Sequence, residues 1–541
     1  MLKSIGIMKL AFSFKWLVLA LVVGQGDAAR ILSVCTLSAK SHHYIIQPVL
    51  RELVNRGHEL TFITSIPTNM KAPNYREIAV KTDFEDKMKE MLTFEFIKKM
   101  SGIRIFNMIG IWPMGWMMSE DTLKHAEVQK LLNSESEKFD LIILETHFGQ
   151  ESLLGFGHRF NAPVVSFNPF STFIFIDEFV GNPFGVAYLP SSDTNYNSRM
   201  SFIQRLHNTA RAVSSLVWGY TFYLPKQDGI MRKYFTHKGA ESMPYIVDML
   251  KEVSLVIVNS QASVDYARAL VPNVIQVGGL HIANTTKPLP QDLKKFLDES
   301  KQGVIYFSFG TVVPSNQLPV EIRDGFVKAF GKLKQNVLWK IDATYVPGLT
   351  ANVKLSKWLP QQDVLAHPNI KAFITHGGLL SQEEAVYNSL PLIGVPFFGD
   401  QFVNVERAKQ SGFAIPLYQD NITEQSVTWA LKEVLENPSY KEAAKRHSAI
   451  FRDNPIRPPE KAAYWIEYVL RHKGAPHLRS EGRNLPYYQY LLLDVFAFVA
   501  AVLLAIIAIF YTIFKLICSL CCGSKKDKQQ QKSKQEKKKN Q

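Results

Sequence analysis

A histidine followed by two glycines, His376-Gly377-Gly378, stands between an apolar run, 370–375, and a segment of helical character, 379–388. A glycine turn joining a strand to a helix N-terminus is a ready site for a diphosphate. Glycines let the backbone approach the phosphates, and the first-turn N–H groups and helix dipole favour their charge. His376 can add a donor to a phosphate oxygen, and Trp358, upstream, offers a flat face for a base. A second group with chemical promise is Ser41-His42-His43, in the loop between a short apolar strand, 31–36, and a helical segment, 43–56. Such a loop lies at the C-terminal edge of a parallel sheet, where α/β proteins bind ligands. The positive end of a helix dipole disfavours a protonated imidazole, and a neutral imidazole is what a general base needs.

Within 358–401 the order is Trp358-Leu359-Pro360-Gln361, His376-Gly377-Gly378, Glu384 and, after a further apolar run at 392–398, Asp400-Gln401. These elements resemble the C-terminal signature of the UDP-glycosyltransferase family, which includes the UDP-glucuronosyltransferases. The resemblance extends over nearly the whole chain. It implies the GT-B fold, an α/β architecture of two facing Rossmann-like domains. It also implies an inverting, membrane-bound transfer of a hexose, glucose or glucuronic acid, from UDP-sugar to the hydroxyl of a small lipophilic acceptor, as in detoxification. By that resemblance the base is His42 rather than His43. Its orienting carboxylate is Glu145, at the end of 139–144, where the family has Asp; the side chain is one methylene longer. The charge on departing UDP is met by His376, Gly377, Gly378 and Ser381, with Gly310-Thr311 from a facing loop. Glu384 takes the ribose hydroxyls, Asp400 and Gln401 take the sugar hydroxyls, and Trp358 and Gln361 belong to the same donor set. UDP-sugar is a co-substrate, so no cofactor is expected. No metal-binding carboxylate pair of the DxD type stands at the sugar site, so no metal is expected. Leu380 stands where many vertebrate members have Asn, and His376-Gly377-Gly378-Leu379-Leu380-Ser381 resembles the arthropod members. That shifts the expected donor toward UDP-glucose.

The elements that must position these residues read as two α/β halves. In the first, strands are expected at 31–36, 59–65, 139–144, 163–167, 253–259 and 274–278, with a helix at 43–56 stopped by Gly57. A Pro-bearing stretch, 285–291, reads as the linker. In the second half, strands are expected at 304–309, 336–340, 370–375 and 392–398, with a helix near 426–435. Two stretches are too apolar and aromatic for ordinary loops: 100–118, with Trp112, Met114, Trp116, Met117 and Met118, and 167–184, with Phe170, Phe173, Phe175 and Phe179. Such surfaces adapt to varied lipophilic ligands, and by resemblance they line the acceptor pocket. Ordinary core packing is the competing reading for each residue.

A chain of 541 residues exceeds one core. The net charge of +14 is concentrated in a tail that carries nine Lys between 515 and 541, against Asp527 and Glu536. The body is near ordinary balance, which argues against nucleic acid as a partner. The segment 16–23 follows Lys9 and Lys15 and precedes small residues to Ala29, the layout of a signal peptide. The twenty residues 495–514 carry no charge and are long enough to span a bilayer. Tyr487, Tyr488 and Tyr490 precede them and Lys515 follows, so the tail is expected to be cytosolic and the body lumenal. Lys538 and Lys539 resemble a dilysine retrieval signal of endoplasmic-reticulum type I membrane proteins. The expected organisation is a signal peptide at 1–29, an acceptor domain at 30–284, a UDP-sugar domain at 285–480, a membrane helix with flanks at 491–517 and a cytosolic tail at 518–541. Cys35 is the single cysteine of the body, so no intrachain disulfide framework exists there. Asn284 and Asn421 begin N-glycosylation sequons. A homo-oligomer is compatible with the sequence. The competing function is a catalytically idle, membrane-anchored binder of lipophilic ligands, which a broken donor site would favour.

Overall fold

The computed structural model describes residues 28–81, 93–102, 107–147, 149–192, 194–311 and 313–540. All of the expected leader except Ala28 and Ala29 lies outside them, as do residues 103–106 of the Met-rich stretch. The chain divides into two units, 1–480 and 481–541.

The first unit is built on two parallel sheets. One holds β1 (Arg30–Cys35), β2 (Glu59–Thr64), β3 (Tyr75–Ala79), β4 (Leu141–Leu144), β5 (Val164–Asn168), β6 (Leu255–Val258) and β7 (Val274–Gln276), in the order 3-2-1-4-5-6-7. The other holds β8 (Val304–Ser308), β9 (Asn336–Lys340), β10 (Val353–Ser356), β11 (Ile370–Thr375), β12 (Leu392–Gly394) and β13 (Ala414–Pro416), in the order 10-9-8-11-12-13. Helices cover both faces, so central strands are continuous apolar runs: β4 is Leu-Ile-Ile-Leu and β6 is Leu-Val-Ile-Val, all buried. Strand order reverses between β1 and β4 in the first sheet, and between β8 and β11 in the second. Ligands of open α/β sheets bind at the carboxyl ends of strands at such reversals. His42 follows β1 and Glu145 follows β4; Gly310 follows β8 and His376 follows β11.

Helix α1 (Lys40–Asn55) buries Ile45, Ile46, Val49, Leu50, Leu53 and Val54 against the first sheet, an i, i+3, i+4 stripe. It ends at Arg56, and Gly57 turns away with φ +95°. Ser41, His42 and His43 therefore lie in the first turn of the helix rather than in the loop before it. The helix α2 (Asn107–Lys124) carries part of the Met-rich stretch. Helix α3 (Leu379–Tyr387) begins at Gly378, as the glycine turn requires, and α4 (Gln401–Gln410) begins after Asp400. Strand β12 stops at Gly394, so 395–398 is a loop and not strand.

Helix α5 (Pro458–Arg471) does not pack on the second sheet. Ala462, Ala463, Ile466 and Val469 join the core on the first sheet with Ile31 of β1, Leu255 of β6 and Leu53 of α1. Glu467 receives Arg56 at 3.0 Å, and Lys461 donates to the Gln276 carbonyl at 2.9 Å. A division at 284 and 480 assigns this helix to the second half, yet its apolar face completes the first half's core.

The second unit holds α6 (Leu493–Lys539). Its stretch Leu493–Cys521 has mean hydropathy 2.9 over its most apolar window, and among the described residues it is the one helix long and apolar enough to cross a membrane. Twenty-nine residues at about 1.5 Å each reach about 44 Å, more than the roughly 30 Å hydrocarbon core. The helix extends the expected span in both directions and continues through the Lys-rich tail.

Candidate active site

A cleft of about 1660 Å³ is lined from both sheets. Residues from β1's following helix and from the loops after β5 and β6 form one wall. The other is formed by the loops after β8 and β11 and by the start of α4.

On the first wall, His42 is buried to 6% exposure and lines the cleft. Its Nδ1 lies 2.6 Å from Glu145 Oε1, and Glu145 is behind it, away from the cleft. A carboxylate only accepts, so the imidazole hydrogen sits on Nδ1 and the Nε2 nitrogen carries the lone pair. Phe170 packs edge-on against the ring at 5.4 Å between centroids. His43 takes a different course. It is fully buried and does not line the cleft, and its Nε2–H donates to the Leu37 carbonyl at 2.9 Å. Burial pushes its pKa down to about 4. One residue's difference in helical phase, about 100°, separates a histidine facing the cleft from one committed to the core.

On the second wall, His376 is wedged between two glycines. A Cβ on Gly310 would stand 2.7 Å from His376 Cε1, and one on Gly378 would stand 2.5 Å from Nε2. Gly310 also has φ +74°, a conformation that favours glycine. Burial, with Lys340 nearby, lowers the His376 pKa to about 4, so the ring is neutral near pH 7. Gly377 lies behind the cleft lining with φ +84° and packs on Val405. Thr311 lines the cleft beside Gly310. Gln361 is fully engaged: its Nε2 donates to Ser381 Oγ at 3.0 Å and to Glu384 Oε2 at 2.6 Å, and its Oε1 accepts from Tyr306 at 3.1 Å. It thereby holds the carboxylate of Glu384 at the cleft. Trp358 is 69% exposed and lines the same cleft, leaving a ring face open for stacking.

Asp400 and Gln401 differ in role. Burial raises the Asp400 pKa, and Asn404 donates to its Oδ2 at 2.7 Å. Asp400 comes from the second wall and lies within electrostatic reach of His42 on the first. Gln401 uses its Oε1 to accept from the backbone N–H groups of Phe397 and Phe398, at 2.8 and 3.3 Å. That bond folds the loop, so the part of Gln401 able to meet a ligand is its NH2 group.

Of the aromatic stretches, Met114, Met118, Phe170 and Phe173 line the cleft, whereas Trp112, Phe175 and Phe179 belong to the core. Trp112 stacks on Tyr223 at 4.8 Å. Asn284 is exposed at the cleft's edge, and Asn421 is exposed and outside the cleft lining.

Sequence reasoning missed two features. Lys340, at the end of β9, lines the cleft and donates from Nζ to the Gly310 carbonyl at 2.9 Å. Burial and the nearby Lys40 lower its pKa, as expected where cations converge without an anion between them. The second is a buried ion pair across the cleft: Arg407 of α4 meets Asp265, after β6, at 2.5 Å. Burial opposes ionisation of Asp265, but Arg268 and Arg407 outweigh it and hold the carboxylate below its ordinary range. Nothing in the linear spacing marks these residues; the topology alone brings them to the cleft.

In sequence, residues 29–528 match the family described as UDP-glucoronosyl and UDP-glucosyl transferase. UDP-glycosyltransferase UGT5 of the arthropod Dactylopius coccus is 36% identical, over 94% of this chain and 97% of that protein. The 2-hydroxyacylsphingosine 1-beta-galactosyltransferase of Rattus norvegicus is 33% identical, over 93% and 92%. UDP-glucuronosyltransferase 2B9 of Macaca fascicularis is 30% identical, over 92% and 95%. In structure, the glycotransferase of kitacinnamycin aligns with TM-score 0.55 and 14% identity, covering 83% of this chain and all of its own. UDP-glucose: anthocyanidin 3-O-glucosyltransferase in complex with UDP aligns with TM-score 0.54 and 14% identity, covering 82% and 99%. The two parallel sheets and these neighbours bear out the GT-B architecture.

Proposed function

The chain belongs to the UDP-glucoronosyl and UDP-glucosyl transferase family, and from that membership we propose an inverting hexosyl transfer from UDP-glucose to the hydroxyl of a small lipophilic acceptor. The acceptor enters beside Met114, Met118, Phe170 and Phe173. His42 Nε2 takes the acceptor's proton while the acceptor oxygen attacks the anomeric carbon. The bond from that carbon to the diphosphate oxygen breaks, and UDP leaves from the opposite face with the electron pair. Glu145 stabilises the imidazolium that forms. His376, the Gly378 backbone, Ser381, Thr311 and Lys340 meet the charge on the diphosphate. Glu384 accepts the ribose hydroxyls, Trp358 stacks on the base, and Asp400 with the NH2 of Gln401 holds the hexose. No step of this transfer calls on a metal or a cofactor.

The observation that carries this reading is the buried 2.6 Å pair of His42 and Glu145 on the wall opposite His376 and Lys340. An idle binder has no need of that pair. The preference for UDP-glucose over UDP-glucuronate is supported by the state of Arg407, which is committed to Asp265 and to Asn404 Oδ1, each at 2.5 Å. A second reading, transfer to a membrane lipid, draws support from the 33% identity to the sphingosine galactosyltransferase. The apolar helix and the Lys-rich tail support a single-pass protein of the endoplasmic reticulum with a lumenal body. The test is a side-by-side assay of UDP-glucose, UDP-galactose and UDP-glucuronate in purified membranes, against phenols, flavonoids, steroids and a ceramide. Clear preference for UDP-glucuronate overturns the donor assignment; turnover of ceramide alone overturns the small-acceptor assignment.

A further inference from the structure

Glu145 reaches His42 with a side chain one methylene longer than the aspartate the family's pattern has there. The extra bond adds freedom, because the terminal torsion of a glutamate is broad and its carboxylate turns easily. Something must hold it. Glu145 uses Oε1 for His42, and its Oε2 lies 3.3 Å from Gln150 Nε2. A carboxylate accepts only, so Gln150 must present its NH2 group there. Its Oε1 then faces Thr36, whose hydroxyl donates at 3.2 Å. Thr36 Oγ1 is 2.7 Å from Thr122 Oγ1, which sits 2.9 Å from the Met118 carbonyl. Gln150, Thr36 and Thr122 have no exposed surface, and Glu145 is 3% exposed. None of the four lines the cleft. The amide has a partner at each end and a single orientation, so it fixes the second carboxylate oxygen.

We infer that Gln150 is a positioning residue for the transfer reaction, acting through Glu145 and anchored by Thr36. This rests on the reading of His42 as base. Gln150 touches neither sugar nor acceptor. Its work is to stop the Glu145 carboxylate from turning, which keeps the His42 hydrogen on Nδ1 and the lone pair on Nε2.

The test is a double-mutant cycle on the full-length enzyme in membranes. Gln150→Met keeps the shape and removes both hydrogen bonds. It should lower kcat about tenfold, the scale of one hydrogen bond to a charged group, with both KM values and UDP affinity within about twofold. In a Glu145→Gln background the same change should cost less than about twofold, because the carboxylate it orients is gone. Thr36→Val, an isosteric change that leaves the amide in place, should cost about threefold and lose that effect in the same background. If Gln150→Met does not accumulate, the Thr36→Val cycle decides alone. A loss that multiplies undiminished onto Glu145→Gln overturns the inference, as does an unchanged kcat or a loss confined to KM. A His42→Ala enzyme with wild-type kcat would instead remove the base reading, a failure separate from that of Gln150.

Discussion

Replacing Gly378 by alanine tests whether the His376 ring is held where a phosphate oxygen meets it. Gly378 has φ −61° and ψ 138°, which alanine adopts without strain, so the change adds a Cβ and nothing else. That Cβ would lie 2.5 Å from His376 Nε2 and 2.9 Å from Cε1. Carbon and nitrogen pack at about 3.5 Å, so the ring must retreat by about 1 Å. On its other side the ring lies against Gly310, where an added Cβ would stand 2.7 Å away, so the space into which it shifts is the one that this glycine leaves open. The ring therefore turns out of line. A donor displaced by that much loses a hydrogen bond to a charged group, worth about 1.5–3 kcal/mol. The dissociation constant for UDP should rise about 10- to 100-fold. Calorimetric titration of UDP into the detergent-solubilised chain measures it, alongside His376→Ala and the double variant. If the alanine acts through the ring, the double variant binds UDP no worse than His376→Ala alone. A Gly378→Ala protein that binds UDP within about twofold of wild type refutes the reasoning.

Replacing His42 by alanine should lower kcat at least about a hundredfold and leave UDP affinity unchanged, whereas His43→Ala should lower the unfolding midpoint first, because His43 is buried in the core. An inactive, stably folded His43→Ala beside an active His42→Ala would reverse the assignment. Burial raises the Glu151 carboxyl from 4.5 to about 7, with Tyr223 as its hydrogen-bond partner. The native state keeps that proton while the unfolded chain loses it, so stability falls as pH climbs from about 4.5 to about 7 and stays lower above. Glu151→Gln should abolish that fall and gain up to about 3 kcal/mol at pH 8 relative to pH 5; equal denaturant midpoint differences at the two pH values would count against it. In sealed microsomes, protease should remove only the tail after Lys515, and digestion of the body would exclude a lumenal location.

The central strands were legible because burial on both faces leaves a mark in composition. Strands β9 and β11 have the bounds that their apolar runs predict. The edge strands β3 and β10 were not legible, whereas β7, also an edge, was expected at 274–278. β3, Tyr-Arg-Glu-Ile-Ala, has one buried residue, and β10, Val-Lys-Leu-Ser, has none, so neither carries an apolar run. The site divides in a similar way. His376, Gly378 and Glu384 stand within one strand–turn–helix stretch, and Asp400 follows the next strand, so their order along the chain could be read together. Lys340, Asp265 and Arg407 come from separate elements, and each acts through a neighbour distant in sequence; Gln150 stands near Glu145 in the chain, but Thr36, which orients its amide, is distant. Gln401 shows the converse: its place in the signature was legible, but the use of its oxygen on the Phe397 and Phe398 backbone was not.

The return of α5 to the first sheet bears on how the chain is made. The last strand of that sheet ends at Gln276 and the helix that seals it begins at Pro458, about 180 residues later. At roughly 5–20 residues per second, the ribosome delivers that seal about 10–35 seconds after the sheet itself. During that interval Ile31, Leu53 and Leu255 lack the part of their cover that Ala462, Ala463, Ile466 and Val469 supply, while the second half is being synthesised and can fold on its own strands. The half made first is thus the half finished last. A fragment ending at the linker should be a chaperone client rather than a stable domain, and the helix that seals the first sheet is followed about twenty residues later by the apolar helix α6.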